Sequence, residues 1–142
     1  MKIIALAALA AALAAPACVH GTTPESARLT LTFETGAESG AVLVALFDSE
    51  AAYGGGDPVR RARVDVARGE RTTILDGLPA GTYAIKAFHD VNGDGRMNTN
   101  PFGIPIEPVA FSNNAPANMG APGWDRARFT VQGATVQTIA VR

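Results

Sequence analysis

The alternation of apolar and polar positions along the chain predicts short strands rather than long helices. From Arg28 to Phe33, Leu29, Leu31 and Phe33 alternate with Thr30 and Thr32, the period of two that a half-buried strand requires. After a Gly-containing turn at 36–40, Ala41 to Phe47 is an unbroken apolar run, which predicts a central strand covered on both faces. Ser49 to Pro58, with Gly54 to Gly56, holds no period and reads as a loop. Val59 to Ala67 and Arg71 to Leu75 predict a hairpin closed at Arg68 to Glu70. The turn cluster from Asp76 to Gly81 then feeds a strand from Thr82 to His89, in which Tyr83, Ile85 and Ala87 share one face. Ala127 to Val131 and Thr135 to Val141, joined at Gln132-Gly133, predict a final hairpin.

Between Asp90 and Gly123 the pattern dissolves into a stretch rich in Asn, Gly and Pro, where only Val109 to Ser112 can form a short strand. A connection this long inside a compact domain is expected to be functional. About seven short strands with regular turn signals predict an all-β fold, a single antiparallel β-sandwich of immunoglobulin-like or transthyretin-like type.

The N-terminus changes the picture of where the domain works. Lys2, the apolar run Ile3 to Ala15 and the small residues Ala15-Pro16-Ala17 form a secretory signal peptide over residues 1–17. The expected organisation is that signal, a flexible tether at 18–27 and a β-sandwich domain at 28–142. No later segment is long and apolar enough to be a membrane-spanning helix. Cys18 is the only cysteine, so the mature domain holds no internal disulfide. It falls where bacterial lipoproteins are acylated, although Ala15 stands where that pattern usually has Leu. A form lipid-anchored through Cys18 and a soluble periplasmic form are both consistent with this. A net charge of −1 from 12 basic and 13 acidic residues gives no basic footprint for nucleic acid.

The sharpest chemistry lies in Asp90-Val-Asn-Gly-Asp-Gly-Arg-Met-Asn98. Asp90, Asn92 and Asp94 place side-chain oxygens at alternate positions ahead of Gly95, as in the first half of an EF-hand calcium loop, and Asn98 extends the set. The twelfth position, where a bidentate carboxylate is required, is Pro101. Any calcium site here is expected to be weak, with a Kd of roughly 10⁻⁴ to 10⁻³ M. The same residue types also build plain polar turns. No other cofactor is expected.

Phe102, Phe111 and Trp124, with the amides of Asn113 and Asn114, form a candidate surface for an envelope protein or a small ligand. Alternatively, the rings plug one end of the sandwich while the amides cap loop backbone. His89 and Asp90 are strand neighbours pointing to opposite faces, and the chain has no Cys/His pair, zinc-spaced His cluster or Gly-x-Ser-x-Gly. The protein is not expected to be an enzyme. The remaining alternatives are a carboxylate hydrolase of an envelope polymer through Asp48, Glu107 and Asp125, and an assembly subunit that offers an exposed edge strand.

The stretch Gly77-Leu-Pro-Ala-Gly-Thr-Tyr-Ala-Ile-Lys-Ala-Phe-His-Asp-Val-Asn-Gly-Asp-Gly95, followed by Gly103-Ile-Pro105 and Phe111-Ser-Asn-Asn-Ala115, resembles the bacterial domain-of-unknown-function family 2141. The resemblance covers essentially the whole mature domain. It implies an exported envelope protein with no established activity and supplies no catalytic residue. Where that family often carries an acid near the position of Asn98, this chain has an amide.

Overall fold

A computed structural model describes residues 25–142. The expected signal peptide, Cys18 and most of the tether lie outside the described residues. β1 (Ser26–Glu34) starts two residues before the domain start read from the pattern, and Ala27 is already buried.

The described residues form an all-β sandwich of eight strands. One sheet has the order β4-β1-β8, with β4 (Thr72–Pro79) and β8 (Ala134–Ala140) flanking β1. The other has the order β3-β2-β5-β6, built from β2 (Ala41–Phe47), β3 (Arg60–Val64), β5 (Gly81–Asp90) and β6 (Val109–Phe111). β7 (Phe129–Val131) pairs with the start of β5. All pairings are antiparallel except β1 with β8, which run parallel. Leu29, Leu31 and Phe33 of β1 meet Val42, Val44 and Leu46 of β2, Ile85 of β5 and Ile139 of β8 in one buried core.

The apolar run of β2 is explained by burial on both of its faces. While Val42, Val44 and Leu46 enter the core, Phe47 belongs to a second cluster with Tyr53, Ala84 and Ala127, joined by Ala45 and Trp124. Two short helices supply that cover, α1 (Glu50–Gly55) and α2 (Trp124–Ala127). α1 replaces the loop expected at 49–58. Ser49 caps it by accepting from Ala52 N, and Tyr53 gains enough apolar contact to hold a single turn that propensity alone would not.

Both expected hairpins are corrected. β3 pairs with β2 while β4 pairs with β1, so the turn between them carries the chain from one sheet to the other. That crossing is a 3-10 turn at Val66–Arg68, in which Asp65 accepts from Arg68 N and Glu70 accepts from Asp65 N. Likewise β7 and β8 flank the expected Gln132-Gly133 turn yet join different sheets. Local alternation specifies strands and turns, whereas partner choice depends on long-range packing. The turn cluster at 76–81 is mostly strand: β4 runs to Pro79, with a register irregularity opposite Ala27 and Leu29. Tyr83 donates its hydroxyl to Pro79 O at 2.7 Å, a tyrosine corner that fixes the passage from β4 to β5.

Candidate functional site

β5 delivers His89 and Asp90 to the end of the sandwich, and the two side chains part there. His89 shares the core-facing parity of Ile85 and Ala87 and is fully buried. Its Nε2 lies 2.6 Å from Ser39 O; a carbonyl only accepts, so Nε2 carries the proton. Gly40, beside that contact, has φ +68°, and a Cβ there would stand 1.9 Å from Asp90 O. Only glycine lets β2 begin this close to the end of β5.

Asp90 organises the loop that follows. Its buried carboxylate accepts from Gly93 N (2.8 Å) and Asp94 N (3.1 Å) on Oδ1 and from Gly95 N (2.9 Å) on Oδ2. Asn92 Oδ1 accepts from Asp94 N at 3.0 Å, and Asp94 Oδ1 accepts from Arg96 N at 2.8 Å. Asn98 Nδ2 donates to Asp94 Oδ2 at 2.9 Å, and Asn92 Nδ2 donates to Asn98 Oδ1 at 2.9 Å. The four residues predicted for calcium are thus brought together. The Asn98 hydrogen bond, then the Arg96 backbone, hold the Asp94 carboxyl below its ordinary range.

Glu107 completes this base, a role that linear spacing could not reveal. Its Oε1 accepts from Val91 N (3.1 Å) and its Oε2 from Asn98 N (3.0 Å), so one carboxylate ties the two ends of the loop. Three alternating carboxylate and amide oxygens with a third acid nearby are the donor type a hard cation takes. Here those oxygens are occupied by N–H donors. Among the described residues, no three His, Cys, Asp or Glu side chains gather around one point as a metal cage.

On this base stands a small hairpin. Thr99 and Pro105 bridge, Asn100 N donates to Ile104 O, and Ile106 N donates to Asn98 O. Its side chains face outward: Phe102 is 88% exposed, Ile104 58%, Ile106 66% and Met97 44%. Four of the eight large hydrophobics exposed among the described residues therefore fall within 97–106. Exposed apolar residues clustered in this way are a common feature of contact surfaces, whereas scattered ones need no explanation.

The other members of the predicted surface are placed elsewhere. Phe111 is buried. Asn113 and Asn114, both at positive φ, spend their amides on backbone. Asn113 Nδ2 reaches Arg128 O at 2.9 Å, while Asn114 Nδ2 donates to Thr138 O (3.1 Å) and Asn114 Oδ1 accepts from Ala140 N (2.8 Å). Asn114 thereby covers part of the edge of β8 as an extra strand would. Between them and β6, Ser112 Oγ donates to Ala127 O and accepts from Ile85 N. Trp124 is half-buried edge-on against Tyr53, whose hydroxyl donates to Pro122 O at 2.9 Å. Lys86 Nζ lies 4.2 Å from the Tyr53 ring centroid and donates to Tyr53 O, and burial lowers its pKa.

The carboxylates weighed for hydrolysis are dispersed in role. Asp48 is exposed just beyond β2, Glu107 is bonded to the loop, and Asp125 pairs with Arg128 at 3.1 Å. A cavity of about 300 Å³ lies beside β6, lined by Val109, Phe111, Asn114, Pro116 and Arg142 among others, with no carboxylate side chain in its wall.

Comparison with curated proteins and with solved structures gives no match. A family model described as an uncharacterized protein conserved in bacteria, family 2141 of the domains of unknown function, matches residues 34–139. That match runs from the last residue of β1 through β2 to β8, taking in the Asp90 loop, the hairpin and the Asn113-Asn114 segment, and the chain belongs to this family.

Proposed function

We propose that this protein is a non-catalytic binding module of the bacterial cell envelope, with the hairpin at 98–106 as its working surface. The observation that carries this reading is the apolar tip: Phe102, Ile104 and Ile106 stand in solvent although the core beneath is complete. Support also comes from the signal-peptide pattern at 1–17 and from a sandwich that presents a long loop region on a rigid frame. Whether the protein reaches its partner free in the periplasm or held by a lipid at Cys18, the tip is the part that makes contact.

The test uses the processed chain from Cys18 onward, carrying Cys18→Ser so that no acyl group contributes. Sedimentation with isolated envelope membranes should retain it, and Phe102→Ser with Ile104→Ser should release it. Equal retention of both proteins would refute the reading.

A second reading attaches to the same loop. Weak calcium binding at Asp90, Asn92, Asp94 and Asn98 would draw on Glu107 from the far arm for the carboxylate that position 101 lacks, with the ion displacing the Val91 N and Asn98 N donors that now hold it. Calorimetric titration at millimolar calcium should give saturable heat that Glu107→Gln and Asp94→Ala abolish. Silence in the unsubstituted protein would end it.

A further inference from the structure

Between Asn100 and Ile106 the hairpin leaves a partner no free backbone donor. From Asn100 to Ile106 every backbone N–H is bonded inside the hairpin. Asn100 N donates to Ile104 O (2.8 Å), Gly103 N to Asn100 O (2.9 Å) and Ile106 N to Asn98 O (3.0 Å). Phe102 N and Ile104 N both donate to Asn100 Oδ1, at 2.9 and 3.0 Å. Pro101 and Pro105 have no N–H to satisfy. Strand addition by a partner is thereby disfavoured, because it draws on free main-chain donors. A segment that enters hydrocarbon must instead satisfy its donors internally, and this one does.

The side chains agree with that constraint. Phe102 occupies the tip, and Ile104 and Ile106, two residues apart on one arm, project to the same side. The exposed charges nearest the hairpin are Arg96, suited to the phosphate level of a membrane, and Asp94, whose carboxylate is held by Asn98, Asn92 and Arg96 N. We propose that the tip inserts into the surface of a lipid bilayer, with Phe102 deepest and Arg96 among the headgroups. This rests on the hairpin being the working surface and names what it touches.

The experiment is flotation of the same processed Cys18→Ser chain with vesicles of phosphatidylethanolamine and phosphatidylglycerol, alongside native envelope membranes. The chain should float with the vesicles, and Phe102→Ser should weaken partitioning by about tenfold or more, the effect of withdrawing one large apolar side chain. In 1 M salt, binding should hold within about twofold, since apolar insertion is not screened. Phe102→Trp should gain a blue-shifted emission on vesicles beyond that of Trp124. Val136→Ser, which removes an exposed apolar side chain from β8, should change nothing.

No binding to vesicles, binding indifferent to Phe102→Ser, or binding abolished by salt would overturn the proposal. If pure lipid fails while envelope membranes still retain the chain and release Phe102→Ser, the partner is a protein and the binding-module reading survives. If neither surface retains it, both readings fall.

Discussion

In the hairpin at 98–106 the Asn100 side chain bonds backbone two and four residues ahead and leaves Phe102 in solvent. In the segment at 111–115 the Asn113 and Asn114 amides reach α2 and β8, and Phe111 is carried inside. Both turns are Asn-rich, both sit beside a phenylalanine, and both belong to one long connection. The difference is the range of their hydrogen bonds. A turn that satisfies itself locally can stand away from the domain, whereas one that satisfies distant backbone must lie against it. The first is thereby free to make the proposed contact, and the second holds the sandwich together.

The strongest way to break this contrast is to remove the base beneath the hairpin. Asp90→Ala leaves three loop N–H groups without their buried acceptor and should destabilise the domain by about 3–5 kcal/mol. Its midpoint in thermal denaturation should fall by more than about 10 °C. Asn114→Ala comes next, at about 1–3 kcal/mol in chemical denaturation, because it frees Thr138 O and Ala140 N and strains a residue at φ +51°. Asn114→Gly should recover the strain and not the hydrogen bonds.

Asn100→Ala sharpens the comparison from the other side. Global stability should change by less than about 1 kcal/mol, while hydrogen exchange at Phe102 and Ile104 accelerates, since only the hairpin opens. Acid acts more gently still. Asp94 has a depressed pKa in the folded state, so its contribution is present above the unfolded value of about 3.9 and is lost as pH falls through the folded value. Asp94→Asn should therefore flatten the stability profile below about pH 4 and remove, at neutral pH, the small contribution that the carboxylate makes there. Phe102→Ser should shift stability by no more than about 0.5 kcal/mol, as expected of an exposed side chain.

Strands were legible where alternation carried them. Leu29, Leu31 and Phe33 marked β1, and the apolar run from Ala41 to Phe47 marked a strand buried on both faces. Pairing was not legible. The turns at 65–70 and 132–133 look like hairpin turns locally and instead cross between sheets, since the partners β2, β5 and β1 lie far away in sequence. In the site, the spacing of Asp90, Asn92 and Asp94 identified a folded loop, but Glu107 joins it only in three dimensions. Phe111 was set apart from Phe102 by the expected strand at Val109 to Ser112, whereas Trp124 carried no such sign. The one available clue was Phe102's setting between Pro101 and Gly103, with Ile104, Pro105 and Ile106 following and no acid before Glu107.

The division of labour is tested most directly by measuring membrane retention and thermal midpoint together for Phe102→Ser and Asn114→Ala. Phe102→Ser should lose about tenfold or more in retention at an unchanged midpoint. Asn114→Ala should melt earlier yet be retained as fully as the parent at temperatures where it is folded. An early-melting Phe102→Ser that still binds, or a folded Asn114→Ala that does not, would contradict the assignment.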